Sequence, residues 1–136
     1  MSTRRLAVLL ALLELAIAVY LEVERARGSA VSCPIGGGGC EKVQESSYSE
    51  LAGIPLPILG LFGAVAMLVT TLLRDPRART AAFVLAAAGA LFSLYLAGLQ
   101  AFEINAYCAW CLASAVIWIA LAVTTGVAWF RATDEE

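Results

Sequence analysis

Histidine is absent from this 136-residue sequence, and charge is scarce: Asp, Glu, Lys and Arg together make up 15% of it, against about 25% in an ordinary soluble domain. Lacking histidine, the chain lacks the usual haem ligand and the side chain that most readily hands on protons near neutral pH. No segment is of low complexity and no internal repeat stands out. The formal net charge of −2 gives no basic footprint for nucleic acid. Apolar surface is there instead, with 61% hydrophobic residues and a mean hydropathy of +0.83. A soluble fold of this size has nowhere to hide that surface, so the bilayer is its natural solvent.

Four apolar runs predict four spans, at about 6–21, 56–73, 80–102 and 107–130. Backbone polar groups in lipid must bond within their own segment, and the runs lack strand alternation, so helix is the expected state. A span needs roughly 17–25 residues. The first run is short and carries Glu14 in its middle. It also invites a second reading: Arg4-Arg5, the run Leu6–Leu13 and Ala16-Ile17-Ala18 resemble a cleavable signal peptide. Against cleavage, the apolar run continues through Val19-Tyr20-Leu21, and Glu14 falls where such a signal should be apolar. An acid at that depth is costly. It is expected to face the bundle interior with a hydrogen-bond partner, with a catalytic role as the rival reading.

Arg4, Arg5, Arg74, Arg77, Arg79 and Arg131 fall at one end of these spans. Arg25, Arg27 and Lys42 fall at the other, diluted by Glu22, Glu24, Glu41, Glu45, Glu50 and Glu103. The positive-inside rule then predicts a multi-pass protein of a cytoplasmic membrane with both termini in the cytoplasm. Asp75-Pro76 predicts a sharp turn between the second and third spans.

That topology puts all four cysteines on the outer side, where disulfides persist. Cys108-Ala109-Trp110-Cys111 is a C-x-x-C at a helix start, with its two sulfurs one turn apart on one face. Unpaired N–H groups and the dipole of a helix N-terminus stabilise a thiolate, the reactive form of cysteine. A structural disulfide or half a metal site fits the same four residues. Cys33 and Cys40 bracket Pro34-Ile35-Gly36-Gly37-Gly38-Gly39. Four glycines in a row make a poor scaffold, which suits a shuttle cysteine better than a simple disulfide-closed loop. A zinc site of four cysteines is a further reading, although the first pair lacks the usual close spacing. A four-span scaffold with two inert disulfides, or a metal-binding membrane protein, is therefore the alternative to redox chemistry.

Cys40-Glu41-Lys42-Val43-Gln44-Glu45-Ser46-Ser47-Tyr48, then Gly53-Ile54-Pro55-Leu56-Pro57 and Gly60, together with the late C-x-x-C, resemble the signature of the vitamin K epoxide reductase family. Thiol oxidases of the DsbB type place their C-x-x-C earlier, so the likeness to them is of task and not of layout. The resemblance covers the chain from first span to last. It implies an all-α integral membrane protein: a four-transmembrane-helix bundle, one domain over 1–136. An outer redox loop at about 22–55 and a short surface helix near Ser47–Ala52 would cap a quinone site. Many bacterial relatives carry a fifth span and a fused thioredoxin-like domain. This sequence has neither up to Glu136, so the expectation is a stand-alone form served by a separate DsbA-like thioredoxin-fold protein.

The resemblance also implies a relay. A partner thiolate attacks a Cys33–Cys40 disulfide at Cys33. Cys40 then attacks Cys108, and Cys111 is left as the thiolate beside a quinone. Ser47, Leu56, Pro57, Trp110, Cys111, Ser114 and Ala115 are the expected quinone contacts. Ser47 is alternatively a helix-cap serine, Trp110 alternatively a lipid anchor, and Glu103 and Tyr107 are read as interface residues. Animal members carry asparagine where Leu56 aligns and tyrosine where Ala115 aligns. Those departures point away from epoxide reduction and towards a respiratory quinone, menaquinone or ubiquinone, with no metal or haem.

Overall fold

The computed structural model describes residues 2–26, 50–51, 54–99, 101–102 and 109–134. Four long helices account for most of them: α1 (Thr3–Ala26), α2 (Leu56–Leu72), α3 (Pro76–Leu99) and α4 (Ala109–Asp134). By length and composition α1, α3 and α4 suffice to cross a membrane. At 17 residues α2 is about 25 Å long, a little under the ~30 Å of a hydrocarbon core. The helices form a ring in chain order, each packing on its neighbours in sequence and α4 closing on α1.

The first helix corrects its sequence reading. It is a continuous 24-residue element and not a 16-residue run. Arg4 and Arg5 before the apolar stretch, and Glu22 and Glu24 after it, are good helix formers, and no proline or glycine interrupts the segment. The expected surface helix near Ser47–Ala52 also needs correcting where it is described. Glu50–Leu51 (β1) is a short strand, paired antiparallel with Ile54–Pro55 (β2) in the register Glu50 to Pro55 and Leu51 to Ile54.

Asp75 and Pro76 make the turn between α2 and α3, as expected. Only residues 73–75 lie outside a helix there. The Asp75 carboxylate accepts the Arg77 amide at 2.9 Å, and proline takes the first helical position, where no amide is needed. At the other side of this turn, Arg4 donates through Nε to the Thr71 carbonyl at 3.0 Å and through Nη2 to that of Leu72 at 2.9 Å. These are two of the carbonyls that a helix end leaves unpaired.

Side-chain size sets the packing. Ala78, Ala82, Ala86 and Ala90 form the buried stripe of α3, and small residues let helix backbones approach in a membrane. Trp118 of α4, 6% exposed, is wedged between Gly63 of α2 and Gly89 of α3. A Cβ on Gly63 would lie 3.1 Å from Trp118 Cζ2. A Cβ on Gly89 would overlap Cε3 and stand 2.7 Å from Cδ2. Gly89→Val is therefore expected to destabilise the bundle by about 1–3 kcal/mol, the usual cost of overpacking, read as a lower unfolding midpoint in detergent. Gly98, with nothing near its would-be Cβ, serves as the control position and should tolerate valine far better.

Candidate functional site

On α4 the residues Cys111, Ser114, Trp118, Leu121 and Thr125 recur at three- and four-residue steps, so they share one face. Trp118, Leu121 and Thr125 are buried on that face, and Cys111 and Ser114 are half-buried. Cys111 is the third residue of α4, within the first turn, where backbone amides lack helical partners. The helix thus carries this cysteine at the upper end of its interior stripe.

Helix α1 presents the matching stripe of Ala7, Ala11, Glu14, Ala18 and Leu21, all buried. Glu14 occupies a core position and is only 2% exposed. Its Oε1 accepts two hydrogen bonds from α4, from Ser114 Oγ at 2.6 Å and from Trp118 Nε1 at 3.2 Å. Gly60 of α2 completes the surround, since a Cβ there would sit 3.7 Å from both Oε1 and Ala18 Cβ. The second oxygen, Oε2, is buried and has no hydrogen-bond partner among the described residues. Buried polar atoms are nearly always paired, so a carboxyl oxygen with no partner among the described residues, beside Ser114 one helical turn below Cys111, marks this level of the bundle chemically.

The expectation for Glu14 was an interior position with a hydrogen-bond partner, and it has two. Neither partner was legible: they lie 100 and 104 residues away. The one available signal was that Glu14 sits on the three-four spacing of α1's alanines.

The predicted site residues divide by position. Cys33, Cys40, Ser47 and Cys108 lie outside the described residues, as do Glu103 and Tyr107. Leu56 and Pro57 open α2, and their side chains are not described. Trp110 packs its ring on Tyr20 of α1, centroid to centroid 5.0 Å, and borders the core cluster beside Cys111. Ser114 is present at the site with its hydroxyl proton given to Glu14. Ala115 is buried one turn below Cys111. Cys111, Trp110, Ser114 and Ala115 are thus brought together, and the sequence reading had not placed Glu14, Gly60 and Trp118 with them.

Comparison with known proteins identifies the family. The model of the vitamin K epoxide reductase family matches residues 5–126. Among curated proteins, the chain is similar to the thiol-disulfide oxidoreductase LTO1 of Arabidopsis thaliana, at 32% identity over 109 residues, covering 72% of this chain and 29% of that protein. It therefore spans less than a third of the length of that relative. A match running from α1 into α4 encloses every element of the site, and the chain belongs to the vitamin K epoxide reductase family.

Proposed function

We propose that this chain, as a single membrane domain, is a thiol:quinone oxidoreductase. It would reoxidise a thioredoxin-fold, DsbA-like protein outside the cytoplasm and pass the electrons through two cysteine pairs to a quinone, supporting disulfide formation in other proteins. The observation that carries the reading is the placement of Cys111 at the head of α4's interior stripe, one turn above the Glu14 cluster. Family membership and the name of the Arabidopsis relative support thiol chemistry.

The residues fit a quinone headgroup. The Trp110 ring and Ala115 supply apolar surface, and the orphaned Glu14 Oε2 offers a hydrogen-bonding position that a headgroup oxygen or hydroxyl would satisfy. Trp110, Cys111, Ala115 and Glu14, with Ser47, Leu56 and Pro57, are the residues assigned to hold it. When bound, a quinone accepts two electrons and two protons. The chain's own part is thiol–disulfide exchange. A partner thiolate attacks Cys33 and breaks Cys33–Cys40. Cys40 attacks Cys108 and breaks Cys108–Cys111, and Cys111 leaves as a thiolate within the first turn of α4. The partner's second thiol displaces Cys33 and closes the partner's own disulfide, and Cys33 then displaces Cys108 from Cys40, which restores Cys33–Cys40 and leaves Cys108 and Cys111 as a dithiol. Giving up two electrons and two protons to a bound quinone would return that pair to its disulfide, so the two thiol protons of the partner balance the two taken up. Ser114 stays fixed by Glu14, which holds α4 in rotation beneath the cysteine. Leu56 and Ala115 favour a respiratory quinone, menaquinone or ubiquinone, over an epoxide. Both termini and the arginine-rich end would face the cytoplasm.

The test is stoichiometric. Purified protein, a reduced thioredoxin-fold substrate and a soluble quinone should yield one quinol for each disulfide formed. Disulfide formation that continues unchanged without quinone would sink the proposal.

A further inference from the structure

The end of the bundle farthest from Cys111 has a different lining from the thiol end. A cavity of about 410 Å³ opens there, lined by all four helices. That is more than ten times the ~30 Å³ share of one water molecule. Its rim carries Arg4 from α1, Arg74 from the α2–α3 turn, Arg79 from α3 and Arg131 from α4, with Asp75 as the one acid among the described residues. No ion pair joins these arginines to a described carboxylate, and the Asp75 carboxylate accepts the Arg77 amide through Oδ1, so four guanidinium groups face one carboxylate among the described lining residues. An orientation signal requires basic residues near a membrane face. It does not require them to come from four segments and meet around one cavity.

The donors are partly pre-set. Arg4 spends Nε and Nη2 on the Thr71 and Leu72 carbonyls, which fixes the guanidinium plane and leaves Nη1 for a ligand. Guanidinium groups match phosphate geometry. Deeper in the cavity the hydroxyls of Thr71 and Thr125 are committed as donors to the Met67 and Leu121 carbonyls, each at 2.7 Å. Their oxygens retain acceptor capacity, which suits a ligand bearing hydroxyl groups as well as a phosphate. Directly beside Arg4 lies a groove of about 470 Å³ lined by Arg4, Arg5, Val8, Leu9 and Leu72. Leu9 and Leu72 are more than half exposed. Arg4 thus joins a cationic cavity to an apolar trough running along α1.

We propose that this end of the bundle binds an anionic phospholipid. Arg4, Arg74, Arg79 and Arg131 hold the phosphate, a hydroxylated headgroup reaches the threonine oxygens, and an acyl chain lies along Val8, Leu9 and Leu72. A free phosphate would use the same arginines but not the trough.

The full chain in nanodiscs of phosphatidylcholine with a minority of phosphatidylglycerol provides the test, with lipid retention read by native mass spectrometry. Phosphatidylglycerol should be retained over phosphatidylcholine, and retention should fall roughly fivefold for each arginine removed in R74Q, R79Q and R131Q, the scale of one basic residue at an anionic surface. Arg4 stays intact because it also caps α2. Val8→Trp/Leu9→Trp, which fills the trough and keeps every arginine, should lower retention too, and its helical circular dichroism checks that the bundle is assembled. Inorganic phosphate should neither displace the lipid nor raise the unfolding midpoint. Equal retention of the two lipids, or retention unchanged by the arginine variants, overturns the proposal. Stabilisation by inorganic phosphate that survives the trough variant overturns the lipid assignment in favour of a soluble anion.

Discussion

Cys111→Ala should reduce quinol formation to background while leaving the bundle assembled. The loss is expected to be total because the proposed relay has one exit. Cys111 leaves Cys108 when Cys40 attacks, so its thiolate alone stands at the quinone end of the exchange. Alanine offers neither a leaving group nor an electron pair. The side chain is half-buried at the edge of the core cluster, so losing one sulfur costs little packing, and helical circular dichroism should be retained even though the Cys108–Cys111 cross-link of the proposed relay is gone. The variant also has a chemical signature. In this variant Cys108 is a thiol, and its thiolate can attack Cys40 of the Cys33–Cys40 disulfide, releasing Cys33; with no Cys111 to displace Cys40 in turn, a Cys40–Cys108 bridge should accumulate and appear as one cross-linked peptide under non-reducing conditions. Cys33→Ala should behave differently: it should lose oxidation of the thioredoxin-fold substrate yet still form quinol when a small dithiol reduces Cys108–Cys111 directly. Wild-type turnover by Cys111→Ala, or no difference between the two variants, would refute the order of the relay.

The helices and the end that holds the chemistry were legible for different reasons. Length and hydropathy set α2, α3 and α4 close to their observed limits, because lipid leaves a backbone little choice but helix. Asp75-Pro76 declared the turn because both residues act locally, one as a cap and one at the first helical position. The same local logic failed at α1, where hydropathy marks only the part of a helix that sits in lipid. Arg4 and Glu24 lie beyond the apolar run yet continue the same helix. It failed again at Glu50–Leu51, where pairing with Ile54–Pro55 replaces the expected helix.

The site required contacts across the chain. Nothing near Gly63 or Gly89 says that each faces the indole of Trp118, and nothing near Ser114 says that its hydroxyl is given to a residue 100 positions away. The arginine-lined cavity is the same case. Arg4, Arg74, Arg79 and Arg131 read in sequence as an orientation signal, and only the ring of four helices gathers them around one space.

The Glu14 cluster carries the second large expected effect. Glu14→Leu keeps the volume and apolar character of a core position but leaves the Ser114 hydroxyl and the Trp118 indole N–H without their shared acceptor. Hydrogen bonds between helices in membranes are worth about 0.6–2 kcal/mol each, so the substitution should cost about 1–4 kcal/mol, measured by denaturant titration in detergent. Glu14→Gln preserves a carbonyl oxygen for both donors and should stay near wild type. The decisive variant is the triple replacement Glu14→Leu/Ser114→Ala/Trp118→Phe. Removing every polar member of a buried network is often neutral or stabilising, whereas removing one member is not, so the triple variant should recover the polar part of what Glu14→Leu loses, less the packing that phenylalanine gives up between Gly63 and Gly89. If it does, stability does not require a buried acid between α1 and α4. Its presence one turn below Cys111 then answers to the site: the triple variant should remain folded but bind quinone more weakly, through the loss of Oε2, seen as a raised KM for quinone with the KM for the thiol substrate unchanged. A Glu14→Leu variant as stable as wild type would show that the cluster does not hold α4, and a triple variant with unaltered quinone affinity would show that it does not serve the headgroup.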